Sequence, residues 1–278
     1  MGLGTKLTKK NSLLKTLVEK TREIGRSIST ECKTQVIARY TLPVSLGSGD
    51  GRVAILYNYH ETPQSYRNAS HMVRYGMFPL PEIDYFVITN SKKRRLKFPK
   101  HVKIIYRDSS WSRAWGGWQL CLSKLKIKDY NYFILLKDTA LGPHPSAGPL
   151  WMRQFTRMIT PNCKLVGPTI NMFQEKVIKP HVQAYCLCTD QIGIRAIIDD
   201  RAFDYGDLDK GDTGEIMASR SILRRGYNLA CRLPQCRGID FRSSKLNLLS
   251  KCLYIKDPYA PGSHITVDYP TVIFVRNK

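Results

Sequence analysis

Apolar residues along the chain follow two periods, and their alternation predicts the fold. From Arg52 the run RVAILYNY reads as a strand buried on both faces. PQSYRNASHMVRYG follows with helical spacing, Pro63 suiting a first turn and Gly76 a helix end. IDYFVITN and VKIIYR read as the second and third strands. Trp115, Trp118, Leu122 and Leu125 recur at helical spacing within 111–126, and YFILLKDT reads as a fourth strand. Strand, helix, strand, strand, helix, strand predicts an α/β fold: an open mixed sheet, mostly parallel, flanked by helices. Such sheets bind ligands beyond the carboxyl ends of their strands. Three predicted ends are polar: Tyr59-His60-Glu61-Thr62, Thr89-Asn90-Ser91 and Lys137-Asp138-Thr139. As neighbours in the sheet they would line one crevice.

The second half is less regular. PLWMRQFTRMI predicts a helix, KLVGPTI and VQAYCLCTD predict strands, and QIGIRAII a short helix. Ile216, Met217, Ile222 and Leu223 predict an amphipathic helix, entered through the acidic loop DYGDLDKGD and closed by Gly226. Short strands, TVIFVR among them, end the chain. Residues 1–50 read as a basic N-terminal appendage, with Leu13, Leu14, Leu17, Val18, Ile24 and Ile28 at roughly helical spacing. Within residues 1–40 this is either a helix on a membrane surface or a helix or tail lying on the main body. SLGSGDG marks the boundary, which leaves 51–278 as a single domain.

Composition narrows the class. Lys plus Arg outnumber Asp plus Glu by 44 to 22, a net charge of +22 over 278 residues. That field favours polyanions: nucleic acid, anionic lipid or phosphorylated small molecules. The N-terminal MGLGTKLTKK has no apolar stretch behind it, and Lys6 breaks the myristoylation pattern. No run of apolar residues is long enough to span a bilayer, so a soluble cytoplasmic chain is expected. Eight scattered cysteines fit reduced core thiols. A four-thiolate zinc site from Cys186, Cys188, Cys231 and Cys236 is the weaker reading, because the one-residue gap is poor ligand spacing.

The block SKKRRLKFPKHVK fits a nucleic-acid patch or a solvated loop; no recognisable nucleic-acid module surrounds it, and nucleic acid is not the expected partner. The chain holds no P-loop, no GxGxxG after the first strand, no GxSxG and no HExxH. What remains is a polar crevice in a positive field, which suits a nucleotide-activated donor. Its phosphates want cations, the acceptor hydroxyl wants a carboxylate base, and the leaving diphosphate wants a metal or a fixed cation.

Several stretches carry a resemblance: YNYHETPQSYRNASHMVRYG, DYFVITN, YRDSSWSRAWGGWQLCLSKL, YNYFILLKDTALGP, KLVGPTINMF, PHVQAYCLCTDQIGI, GEIMASRSILRRGYNLAC and DYPTVIFVRNK. In this order, from about residue 52 to the end, the chain resembles GT-A-type glycosyltransferases of large DNA viruses of green algae (chlorella-virus-like), some algae and bacteria. The resemblance implies a GT-A fold and transfer of a hexosyl or pentosyl unit. The donor would be a nucleotide-diphosphate sugar, a UDP-sugar first, and the acceptor a glycan or glycoprotein hydroxyl. If the chain is viral, its place would be the host cytoplasm.

The resemblance also assigns residues. GT-A enzymes usually hold a divalent metal with Asp-x-Asp at the tip of the fourth strand, and here that slot is Lys137-Asp138-Thr139. The relatives often carry Asn-Ser-Ser there. Two readings stand: Asp138 holds Mn2+ or Mg2+ with help from Thr139 or His181, or Lys137 replaces the metal as a fixed cation. A third is that Lys137 only pairs with Asp138 or another acid. Tyr59, His60, Glu61, Thr62 and Asn90 would meet the nucleoside, although Thr62 also suits a helix cap. Arg107 and Arg113 would serve the diphosphate. Gly116-Gly117 would let the backbone approach the donor or would allow close helix–sheet contact. Glu215 would be the general base of an inverting displacement, with Asp212 in reserve, or only a first-turn acid of its helix. His181 would face the crevice in a phosphate, metal or acceptor role. Two rivals remain: a non-catalytic basic module for nucleic acid or an anionic surface, and a degenerate transferase that binds glycans.

Overall fold

The structure, a computed structural model, describes residues 47–92, 95–108, 113–174, 177–205, 213–243, 246 and 267–276. The expected N-terminal appendage, all but its last four residues, and the acidic loop from Gly206 to Asp212 lie outside the described residues. Within them, the first half folds as its pattern predicts. Strand β1 (Val53–Tyr59) leads to helix α1 (Pro63–Tyr75), then β2 (Ile83–Thr89), β3 (Val102–Tyr106), α2 (Arg113–Ser123) and β4 (Tyr132–Lys137). Thr62 caps α1 in a reciprocal box: its hydroxyl accepts from Ser65 N–H at 3.1 Å, and its own N–H donates to Ser65 Oγ at 2.7 Å. Pro63 fills the first turn, where a missing N–H costs nothing.

The second half departs from the predicted runs. KLVGPTI breaks into β6 (Cys163–Gly167) and β7 (Ile170–Gln174), because Pro168 has no N–H to give a ladder. VQAYCLCTD is not one strand: Val182 ends β8 (Val177–Val182), and β9 spans Cys186–Asp190. PLWMRQFTRMI holds only one helical turn, α3 (Arg153–Thr156). QIGIRAII becomes α4 (Gln191–Asp199), and the amphipathic segment becomes α5 (Gly214–Arg224) before β10 (Asn228–Cys231). TVIFVR is not a continuous strand. Asp268 accepts from Thr271 N–H at 3.1 Å and so starts the short helix α6 (Tyr269–Val272). Only Val275–Arg276 forms a strand, β11, which pairs antiparallel with β5 (Ala140–Leu141).

The seven-stranded sheet has the order β10-β6-β9-β4-β1-β2-β3. Six strands run one way, and β9 runs against both of its neighbours. Along β4 the side chains alternate between two cores. Phe133 and Leu135 join Trp115, Trp118 and Phe203 on one face, while Ile134 and Leu136 join Tyr57, Met72 and Trp151 on the other. This burial on both faces explains the unbroken apolar run. Cys186 and Cys188 belong to one core and Cys231 and Cys236 to the other, so the four thiols do not converge. The six described cysteines are all free and buried. Burial lifts the Cys121 and Cys163 thiols to about 12, and raises those of Cys186 and Cys188 well above the ordinary thiol range. No helix among the described residues is long and apolar enough to cross a membrane.

The buried guanidinium of Arg153 ties α3 to the start of β1. It donates to the carbonyls of Gly49 and Gly51, and to the Glu82 carboxylate at 2.7 Å. Helix α2 lies close over β1: Asn58 Nδ2 donates to Ala114 O at 2.7 Å, and a Cβ on Gly117 would lie 2.2 Å from Asn58 Nδ2 and 3.0 Å from Arg107 Nη1. Helix–sheet contact therefore requires this glycine. Gly117→Ala is expected to cost about 1–3 kcal/mol through overpacking, read as a lower midpoint in urea or thermal unfolding. An unchanged midpoint would show that Asn58 gives way freely.

Candidate active site

The carboxyl ends of β1, β2, β3 and β4 open into one cavity of about 770 Å³. Its first wall comes from the predicted strand tips. Tyr59, His60 and Thr62 follow β1, Asn90 follows β2, Arg107 follows β3, and Lys137-Asp138-Thr139 turns out of β4. Register sets them side by side, with Asn58 opposite Lys137 and Tyr59 opposite Thr89. The corner is cross-braced. His60 N–H donates to Asp138 Oδ2 at 2.8 Å, and Asn68 Nδ2 donates to the Asp138 carbonyl at 2.8 Å. His60 Nδ1 and Asn90 Oδ1 meet at 3.0 Å.

The rest of the lining comes from the second half. Because β9 runs against β4, its beginning lies at this edge and brings Gln183, Ala184 and Tyr185 into the cavity. Thr169 Oγ1 holds both polar side chains, at 2.7 Å from Gln183 Oε1 and 2.8 Å from Tyr185 OH. The start of α5 adds Thr213 and Glu215. Gly214 seats that start on the Trp115 indole, where a Cβ would stand 2.5 Å from the ring. Glu215 Oε2 accepts from Ala184 N–H at 2.9 Å, and Oε1 lies 3.6 Å from His181 Nε2. Thr213 stands at the N-cap of α5 without capping it; its hydroxyl is buried and makes no hydrogen bond among the described residues. A buried hydroxyl in a cavity wall is a group that a ligand would satisfy. Arg276 enters from β11, which is clipped to β5 just after the Lys137 corner.

Three cationic side chains, Lys137, Arg107 and Arg276, share this space with the carboxylates of Asp138 and Glu215. Burial lowers the Arg107 guanidinium from its usual range. Burial raises the Asp138 carboxyl, and the His60 backbone N–H opposes that shift only in part. Among the described residues no group of three His, Cys, Asp or Glu side chains stands together to hold a metal ion. At the β4 corner the donors are one carboxylate, Asp138, and the Thr139 hydroxyl, beside a lysine, too few to cage a dication without oxygens from a bound ligand.

Of the sequence-predicted residues, Tyr59, His60, Thr62, Asn90, Arg107, Lys137, Asp138, Thr139 and Glu215 line the cavity. Thr62 both caps α1 and borders it. Glu61 is not among the lining residues. Its carboxylate turns to Arg95, which donates through its backbone N–H at 3.1 Å and Nε at 3.0 Å and holds it below the usual carboxylate range. His181 does not line the cavity either; it is 3% exposed and stands behind Glu215, because β8 pairs with β7 and not with the main sheet. Arg113 opens α2. Sequence reasoning missed Asn58, Gln183, Tyr185, Thr213 and Arg276. Thr213, beside the predicted Glu215, carried a signal as a helix-start hydroxyl.

No family model matches the chain, and no curated protein matches it. Solved structures are similar to it, three of them as follows. A mannosyltransferase from Pyrobaculum calidifontis, in complex with GDP-Man and Mn2+, shares 10% identity over 74% of this chain and 64% of that one, with a TM-score of 0.47. The catalytic domain of Drosophila beta1,4galactosyltransferase 7, in complex with xylobiose, shares 11% identity over 66% of this chain and 65% of that one, TM-score 0.35. A mutant of that Drosophila enzyme, with manganese, UDP-Gal and xylobiose, shares 11% over 72% and 74%, TM-score 0.37. The chain spans slightly less than two thirds of the length of the first two.

The raised Asp138 carboxyl has a stability consequence. Between the ordinary carboxylate range and the raised value, the folded chain holds a proton that the unfolded chain releases, so stability falls as pH rises through that window. Asp138→Asn keeps an oxygen for the His60 N–H and removes the buried charge. Its unfolding midpoint is expected to equal or exceed that of the parent near pH ~7, with the gain vanishing toward pH ~4. A clear loss of stability at neutral pH would contradict this account.

Proposed function

We propose that this protein is a glycosyltransferase that moves a sugar from a nucleotide-diphosphate donor to a hydroxyl of a glycan or glycoprotein. The observation that carries the reading is the meeting of fixed positive charge and an anchored carboxylate in one cavity. Lys137, with Arg107 and Arg276, supplies fixed positive charge, and Glu215, anchored by Ala184 N–H, supplies a carboxylate to the same cavity. The cavity of about 770 Å³ is of a size that suits a nucleotide-sugar. The ordered segments that resemble GT-A transferases put the donor's diphosphate at this same Lys137 corner.

In this reading Tyr59, His60 and Asn90 border the nucleoside, and the cations hold the diphosphate. Glu215 takes the proton of the acceptor hydroxyl. The acceptor oxygen forms its bond to the anomeric carbon as the bond to the diphosphate oxygen breaks, and the electron pair leaves with the diphosphate. One in-line displacement inverts the anomeric centre. Lys137 stabilises the charge that develops on the leaving group, the role a dication would otherwise take. No step is routed through a metal: the β4 corner sets a lysine beside its one carboxylate, and the lysine supplies the charge.

A thermal-shift screen of UDP-, GDP- and dTDP-sugars, each with Mn2+ and with EDTA, tests the reading. At least one donor is expected to stabilise the folded chain, with a shift that survives EDTA. Lys137→Ala is expected to weaken that donor about ten- to hundredfold through loss of a charge-assisted contact, and to lower activity at least as much as Asp138→Ala. No shift from any donor overturns the reading in favour of a degenerate or polyanion-binding protein. A shift that needs the metal overturns the lysine's role.

A further inference from the structure

Glu215 is backed by a histidine that the displacement above leaves without a role. His181 lies on β8, 3% exposed, against α5. Its Nδ1 is 2.6 Å from the backbone oxygen of Lys179. A carbonyl oxygen only accepts, so in the neutral ring the proton sits on Nδ1 and Nε2 is the bare acceptor. That Nε2 faces Glu215 Oε1 at 3.6 Å, ion-pair distance but just beyond hydrogen-bond reach. The other carboxylate oxygen is already committed to Ala184 N–H at 2.9 Å. The two elements are also tied directly: Val182 N–H, next to His181, donates to Ser219 Oγ of α5 at 3.0 Å. A carboxylate at the cavity wall thus has one oxygen fixed and the other aimed at a buried nitrogen whose tautomer is set from behind.

We infer that His181 is the relay partner of Glu215, acting through it and not on the substrate. The inference rests on the transferase reading. As the acceptor oxygen bonds to the anomeric carbon, its proton goes to the Glu215 carboxylate. A small side-chain shift then closes the gap, and the proton passes to His181 Nε2. The product is an imidazolium beside a carboxylate, opposite charges held together where a lone buried charge would be costly. Release of that proton to solvent through the cavity restores the starting pair.

Two measurements on the full chain test this. The first needs no donor: long-range 1H–15N spectra of histidine-labelled protein, which holds six histidines. His181 is expected as the Nδ1–H tautomer, with an Nε2 resonance that moves on Glu215→Gln. An Nε2–H tautomer, or an Nε2 unmoved by Glu215→Gln, overturns the relay. The second uses whichever donor stabilises the parent. His181→Asn keeps an amide N–H for the Lys179 carbonyl and removes Nε2. It is expected to lower kcat at least about tenfold, with donor KM and unfolding midpoint nearly unchanged. A kcat that stays at the parent value overturns the relay. If His181→Asn does not fold, His181→Gln, whose amide cannot pass on a proton, is expected to show the same loss. If no donor binds the parent chain, the transferase reading falls separately, and the tautomer still decides whether the pair is poised as described.

Discussion

The whole site depends on the reversed direction of one strand. β9 lies between β4 and β6 and runs against both, and at the corner Lys137 N–H donates to Tyr185 O at 3.1 Å. A strand running with its neighbours would bring its Asp190 end to this edge. Reversed, it brings Gln183, Ala184 and Tyr185 next to Lys137. It also leaves Ala184 N–H outside the ladder, where it meets Glu215. The chemistry of this part of the lining follows from a choice of strand polarity, made by hydrogen bonds that carry no chemistry themselves.

The corner is stiff because it is held from several directions. His60 N–H and Asn68 brace Asp138 from β1 and α1, and the β5–β11 clip fixes the segment that follows. The clip is anchored by Phe274, buried against Trp151 and Phe155, which places Arg276 at the cavity from the last described residues. Each hydrogen bond is worth only about 1 kcal/mol net. Their shared effect is preorganisation: groups that must face a diphosphate are set before it arrives, so little is lost in ordering them.

How far the site could be read from sequence follows from where its residues sit. Parallel strands buried on both faces write continuous apolar runs, so β1 to β4 and their polar tips were legible, and register then brought the tips together. The second half was harder. Pro168 cut one apolar run into two strands with different partners, and the start of β9 was hidden inside a longer strand-like stretch. Arg276 had no local signal, since its place is set by pairing with a strand early in the second half of the chain. Glu61 and His181 show the opposite case. Their residue types suggested chemistry, but Arg95 captured one and the β7–β8 hairpin carried the other behind the wall. Glu215 was legible as a helix-start acid, and its anchoring by a distant backbone N–H was not.

The buried thiols give the fold an internal reporter. The six described cysteines lie in the two cores, and burial keeps Cys121, Cys163, Cys186 and Cys188 in the unreactive thiol form. Only the thiolate reacts with an alkylating reagent, so modification at these positions requires the core to open. Cys186 and Cys188 sit on β9 and Cys121 on α2, on opposite faces of the sheet. Their separate modification rates therefore distinguish a chain that opens one face at a time from one whose two cores come apart in a single event.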